Sequence, residues 1–91
     1  QDLLARWGGE EFILMIVETK IEQGQQIAER IRLAIQQNIV KFEGLDIQVS
    51  VSVGVSQISL AEKLDDCINR ADKNLYLGKK YGRNKVIADL Q

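Results

Sequence analysis

An α+β fold, with two helices packed on a mainly antiparallel sheet, is predicted by three features of this 91-residue chain. Two strand-like runs, Leu3 to Trp7 and Phe12 to Val17, meet across the adjacent glycines Gly8 and Gly9, which is a hairpin signal. Two later stretches carry apolar residues at helical spacing. Between them, Ile47 to Val55 alternates apolar and small polar residues with period two, as a strand requires. The order β-β-α-β-β-α-β segregates helices and strands in the manner of an α+β sandwich.

Taken in order, the second strand, Phe12 to Val17, is apolar on both faces, which suits a strand covered on both sides. From Ile21 to Ile39 the pattern turns helical, with Ile27, Ile31, Ala34 and Ile35 on one stripe. Gly24 weakens its first turn. Phe42-Glu43-Gly44-Leu45-Asp46 reads as a turn from a short strand into a long one. In that long strand Ile47, Val49, Val51, Val53 and Val55 form one face. Gln48, Ser50, Ser52, Gly54 and Ser56 form the other, small enough for a neighbour to approach closely. A second helix is predicted from Ala61 to Lys79, with Leu64, Ile68, Ala71 and Leu75 on its apolar stripe. Ser59 and Glu62 have capping-box spacing at its start, and Gly78 or Gly82 can end it. Lys85 to Leu90 reads as a short last strand.

The size suits one small domain with a modest core. A net charge of −1 gives no electrostatic case for nucleic acid or an anionic membrane, and no apolar run approaches membrane-spanning length. The absence of His removes His-based triads and the usual zinc clusters. Cys67, the lone cysteine, cannot form an internal disulfide and reads as a small core residue. Trp7, Tyr76 and Tyr81 are too scattered for a base-stacking platform and read as packing residues.

Chemistry concentrates at residues 6–12, Arg-Trp-Gly-Gly-Glu-Glu-Phe. Two glycines let a phosphate approach the main chain, and two acids on the same turn can hold a divalent cation through hard oxygen ligands. A plain hairpin with solvated acids at its tip fits Gly-Gly-Glu-Glu equally well. A second cluster is Lys79 with Arg83 (four residues apart at a helix end), where a point charge and a planar fork can meet one polyanion from one side. Basic residues also gather at helix C-termini for dipole reasons alone.

Arg6-Trp7-Gly8-Gly9-Glu10-Glu11-Phe12 resembles the signature of the GGDEF family, the bacterial diguanylate cyclases, whose third motif position accepts Asp or Glu. Ala71-Asp72-Lys73-Asn74-Leu75-Tyr76, with Lys79 and Gly82-Arg83-Asn84, resembles that family's last helix and the turn after it. Ser52-Val53-Gly54-Val55-Ser56 stands where the family has a Ser-x-Gly strand. The resemblance implies the palm-like nucleotidyl cyclase fold, with residues 1–91 as the C-terminal part of one such domain. The N-terminal half, with its metal-ligating aspartate and guanine-reading residues, has no counterpart in the chain. An isolated 91-residue piece is accordingly expected to be inactive.

The resemblance implies condensation of two GTP into cyclic di-GMP by a homodimer of facing domains, using Mg²⁺ or Mn²⁺ in the cytoplasm. A sensory or receiver domain and a membrane tether can belong to the parent protein. By motif position, Glu10 is implied as metal ligand and catalytic acid–base group, Glu11 as a supporting metal ligand, and Gly8 and Gly9 as the nucleotide's clearance. Lys79 and Arg83 are implied as phosphate ligands. Asp2 and Arg30 match two positions of an inhibitory product site whose first Arg would precede residue 1. They also read simply as a strand-end acid and as part of a charged face with Glu29 and Arg32. A non-catalytic domain that binds GTP or cyclic di-GMP as a regulatory module is the rival reading. The intact signature and the intact Lys79/Arg83 pair favour the enzyme.

Overall fold

The computed structural model describes residues 3–8, 11–15 and 20–89. Strands β1 (Leu3–Gly8) and β2 (Glu11–Met15) form the predicted antiparallel hairpin. Leu3 is paired with Met15 and Gly8 with Glu11, and the register shifts between Arg6 and Gly8. Gly9, Glu10, Ile16 and Val17 lie outside the described residues.

Helix α1 (Ile21–Gln37) follows. Its N-cap, Lys20, has extended backbone, and the Gln23 side-chain oxygen accepts the Lys20 N–H at 3.2 Å. The Gln57 side chain accepts the Ile21 N–H at 3.2 Å and ties the helix start to the segment after β5 (Val53–Val55). The packed stripe is rotated from the predicted one. Ile21 and Ala28 are buried, Gly24 lies under Val55, and Ile31 is 39% exposed. Arg32, four residues beyond Ala28, continues the buried stripe and so departs from the charged face assigned to it with Glu29 and Arg30.

The predicted strand from Ile47 to Val55 is two strands. β3 (Val40–Phe42) and β4 (Leu45–Ile47) make an antiparallel hairpin. Glu43 (φ 50°) and Gly44 (φ 79°) form its tip, with positive φ at both positions as a tight hairpin turn demands. Residues 48–52 join β4 to β5 without strand structure. β5 then pairs in parallel with β6 (Val86–Ala88). The two ends of the alternating run pair with different partners, so a single period-two pattern is divided between two sheets.

Parallel strands need a crossover, and α2 (Leu64–Lys80) supplies it. The alternation of β5 and β6 assigns their two faces. Val55 meets α1 at Gly24, and Val86 joins Glu22, Gln25, Gln26 and Glu29 of α1 around a shallow groove. The opposite face meets α2, with Gly54 under Ala71 and Leu75 and with Ile87 beside Gly78. The two helices therefore sandwich the β5–β6 pair.

The small polar face of the strand is the bed of α2. Ser52 stands beside Gly78, and Ser56 Oγ donates to the Cys67 carbonyl at 2.7 Å. Cys67 and Gly78 are the buried residues of the helix, whereas Leu64 is 47% exposed. Of the predicted stripe, Ala71 and Leu75 lie over Gly54, whereas Leu64 falls outside the contact, which is completed by the small residues Cys67 and Gly78. The Asn74 side-chain amide donates to the Val55 carbonyl and to Asp89 Oδ1, each at 2.9 Å. Arg70 pairs with Asp89 and Glu62 and donates to the Gln57 carbonyl. Ser59 and Glu62 do bond reciprocally, but they close the turn before the helix, which starts at Leu64 with Asp65 and Asp66 in its first turn.

Candidate functional site

The C-terminal end of α2 is built to present cations. Lys79 and Lys80 occupy its last turn, where the unpaired carbonyls and the helix dipole favour positive charge. Tyr81 is the C-cap, and its N–H donates to the Leu77 carbonyl at 2.9 Å. The Arg83 N–H donates back to the Gly78 carbonyl at 2.8 Å, six residues closing onto one in the pattern of a Schellman cap. Gly82 takes φ 116°, which a side chain would resist, so glycine is required to turn the chain off the helix here. Gly78, the other predicted stop, is inside the helix.

The turn then does something less common. Arg83 (φ 63°) and Asn84 (φ 52°) are also left-handed, so three consecutive residues occupy a region that non-glycine residues seldom visit. A side-chain clamp from α1 meets this turn. Arg32 Nη1 donates to Asn84 Oδ1 at 2.8 Å and lies 3.5 Å from the Asn84 carbonyl. Its Nε contacts both carboxylate oxygens of Glu29, at 3.0 and 3.1 Å, and its Nη2 pairs with Glu29 as well. Gln36 Oε1 accepts from Nη1 at 3.1 Å. The Arg32 side chain is 14% exposed, so the guanidinium is spent inside the structure.

Lys79 and Arg83 remain exposed, at the same end of one helix. Lys80 lies 5.8 Å from the centre of the Tyr81 ring, a cation–π contact, and Lys73 is exposed. Lys79 is thus in the last turn of α2 and Arg83 in the turn that follows it. At the other cluster, Gly8 ends β1 opposite Glu11, which opens β2, so the signature straddles the end of the hairpin. Gly9 and Glu10, the candidate clearance and metal ligand, lie outside the described residues, as does Asp2. Arg30 is exposed on α1. Among the described residues no three His, Cys, Asp or Glu side chains converge on a metal position. Cys67 is buried and free.

Glu29 is held below the usual carboxylate range, first by its hydrogen bonds from Arg32, with burial opposing and the guanidinium charge assisting. A lowered folded-state pKa means that the pair stabilises the fold above the ordinary value of 4.5 and ceases to do so as the pH falls through the folded value. Thermal midpoints of the wild type and of Glu29→Gln should therefore differ at neutral pH and converge as the pH is taken below 4.5. A constant difference across that range would show that the carboxylate charge contributes nothing.

Gly54 makes the close approach that its small strand face predicted, with the backbone of Ala71 and Leu75 over it, whereas Arg32 is the residue whose role sequence reasoning missed. For Arg32 the available signal was its spacing from Ile21 and Ala28, which places a cation on a packed stripe.

Comparison with known proteins gives these features a lineage. The family described as Diguanylate cyclase, GGDEF domain, matches residues 1–85. Diguanylate cyclase A of Treponema denticola is 41% identical over 86 residues, covering 93% of this chain. The chain spans 23% of that relative's length. Among solved structures, the GGDEF domain of DgcB from Caulobacter crescentus, crystallised with c-di-GMP, superposes with a TM-score of 0.90 at 30% identity, over 96% of this chain and 51% of that one. The active GGEEF domain of a diguanylate cyclase from Vibrio cholerae superposes with a TM-score of 0.85 at 29% identity, over 100% of this chain and 58% of that one. With its Gly-Gly-Glu-Glu-Phe signature, its Ser-x-Gly strand and its basic helix end in matching order, the chain belongs to the GGDEF family of diguanylate cyclase domains.

Proposed function

We propose that the domain carrying these residues condenses two molecules of GTP into cyclic di-GMP. The observation that supports this most is the exposed Lys79/Arg83 pair on the capped end of α2, in a chain that also keeps an intact Gly8-Gly9-Glu10-Glu11 signature. In each half-reaction the 3′-hydroxyl of one GTP attacks the α-phosphorus of the other. An O–P bond forms, the bond to the β-phosphate oxygen breaks, and pyrophosphate leaves. The second half-reaction closes the ring. Two copies of the domain, each holding one GTP, bring the nucleotides face to face, so the working unit is a homodimer.

Lys79 and Arg83 bind the triphosphate, the ammonium as a mobile point charge and the guanidinium as a fork. Gly8 and Gly9 leave room for the nucleotide at the hairpin. The donor set of Glu10 and Glu11 is all hard oxygen, which fits Mg²⁺ or Mn²⁺ completed by water and substrate phosphates. Such an ion neutralises the charge that develops on the transferring phosphoryl group. Glu10 takes the proton of the attacking hydroxyl. Asp2 and Arg30 are proposed to contribute to a second site, where cyclic di-GMP binds and inhibits. The setting is cytoplasmic, with a sensory or receiver domain of the same protein setting the activity.

The test uses the full-length protein with GTP and Mg²⁺, product being resolved by chromatography. Cyclic di-GMP and pyrophosphate should appear. Lys79→Ala should raise KM for GTP roughly tenfold while kcat changes little, because a phosphate contact already made in the ground state contributes to binding. Absence of cyclic di-GMP would remove the catalytic reading. An unaltered KM in the variant would return Lys79 to the role of a dipole-complementing surface charge.

A further inference from the structure

We infer that Arg32 is a positioning residue for the phosphate-binding turn. Through its hydrogen bonds to Asn84 it holds residues 82–84 in the left-handed conformation that presents Arg83. The inference rests on the reading of Lys79 and Arg83 as phosphate ligands.

Three observations carry it. The first is backbone geometry. Gly82, Arg83 and Asn84 have φ of 116°, 63° and 52°, and a run of left-handed non-glycine residues persists only where surrounding structure holds it. The Arg83 N–H to Gly78 bond secures one side of the turn. Asn84 is the position that the rest of the fold must secure, and Arg32 is placed to do so.

The second is the way Arg32 is itself held. Glu29 fixes its Nε and Nη2 edge, and Gln36 shares Nη1. That leaves Nη1 directed at Asn84 Oδ1, 2.8 Å away. A planar guanidinium held along one edge delivers its remaining donor with little loss of side-chain freedom. Lys could not make these contacts together.

The third is position. Arg32 lies on the stripe by which α1 packs, continuing Ile21, Gly24 and Ala28. α1 and α2 lie on opposite faces of the β5–β6 pair, and the turn leads from α2 directly into β6. The Arg32–Asn84 bond therefore spans from one helix layer to the exit of the other. It couples the register of α1 to the conformation of the turn. Arg83 itself stays exposed and available to a ligand.

The experiment uses the full-length protein, with Arg32→Met and Arg32→Lys, Asn84→Gly (which keeps the left-handed conformation accessible and removes the side-chain acceptor at 2.8 Å, leaving only the 3.5 Å carbonyl contact) and the Arg32→Met/Asn84→Gly double variant. Two measurements are made on each: hydrogen exchange over residues 78–85, and KM and kcat for GTP. Arg32→Met should abolish protection of the Arg83 amide while the interior of α2 keeps its own. It should raise KM about tenfold with kcat little changed, as expected for the loss of a charge-assisted contact that orders a binding group. Arg32→Lys should restore little. The double variant should be no worse than either single one, because both remove the same link.

Retained Arg83 protection in Arg32→Met, or additive KM effects in the double variant, would overturn the inference. If Arg32→Met loses protection throughout α1 and α2, the role is structural at large and the positioning role falls, unless Asn84→Gly alone reproduces the local loss. Lys79→Ala measured alongside separates the two readings. If its KM is unaltered, the phosphate assignment fails whatever Arg32 does to the turn. If its KM rises and that of Arg32→Met does not, only the present inference fails.

Discussion

Gly54→Ala is expected to strip hydrogen-exchange protection from β5 and α2, including the cation-bearing end of α2. The reason lies in the approach of the helix to the strand. A Cβ on Gly54 would fall onto the carbonyl oxygen of Ala71 and within 2.5 Å of the Leu75 amide nitrogen. Both are backbone atoms, so no rotamer change can make room. The helix must lift from the strand or open its own ladder at that turn. Forcing added volume into a packed site costs typically about 1–3 kcal/mol, and a clash with main chain on two sides belongs at or above the top of that range. In a small domain that is a large share of total stability. The same lift would break Ser56 to Cys67 and Asn74 to Val55, because those bonds span the same layer contact.

Two other glycines serve as controls. Gly24→Ala would place its methyl 3.6 Å from Val55 Cγ1, and Gly78→Ala 3.5 Å from Ile87 Cγ1, both ordinary contacts. Within a helix each exchange also improves intrinsic propensity, by up to about 1 kcal/mol. Protection in these two variants should be unchanged or improved. If Gly54→Ala behaved like them, the close packing of α2 on the strand would not be the feature that holds this layer together.

Local signals carried much of the fold in the sequence. The Gly8-Gly9 hairpin, both helices and the Glu43-Gly44 turn follow from turn chemistry and periodicity within short windows, and each appears within a few residues of its predicted position. Pairing was not legible, because it is decided by partners distant in sequence. Ile47 to Val55 alternates evenly, and nothing in that alternation reveals that Leu45–Ile47 joins Val40–Phe42 while Val53–Val55 joins Val86–Ala88. The packed helix faces were misjudged for a related reason. Counting large apolar residues favoured Leu64 and Ile31, yet the buried residues are Ile21, Ala28, Cys67 and Gly78, and the closest approach of α2 to the strand is at Ala71 and Leu75 over Gly54. Small residues score weakly as hydrophobes and strongly as spacers. That Lys79 and Arg83 stand exposed at one helix end was legible from their spacing. Arg32 was hidden by its type, since an arginine flanked by Glu29, Arg30 and exposed neighbours reads as surface until its partner on the distant turn is known.

Glu10→Gln in the full-length protein should lower the rate of cyclic di-GMP formation by roughly two orders of magnitude or more, the scale seen when a group that stabilises developing charge is removed. The substitution keeps side-chain volume and hydrogen-bonding capacity, so the hairpin keeps its pairing of Gly8 with Glu11. It removes the negative charge. On the proposed reading that charge does two things. It helps hold a divalent cation beside the transferring phosphoryl group, and it accepts the proton of the attacking 3′-hydroxyl. A neutral amide does neither, because its carbonyl is a weak ligand for a hard cation and its nitrogen has no basic lone pair at working pH. The loss should therefore fall on kcat, in contrast to Lys79→Ala, whose effect falls on KM. Raising Mg²⁺ or Mn²⁺ should recover only part of the rate, since metal occupancy can be restored by concentration and proton acceptance cannot. Glu11→Gln should be milder and largely rescued by added metal, as fits a supporting ligand that takes no part in proton transfer. Initial rates across a metal titration decide the matter. Full rescue of Glu10→Gln at high metal would reduce Glu10 to a ligand alone, and near-normal turnover with unchanged metal dependence would place it among the solvated acids of an ordinary hairpin.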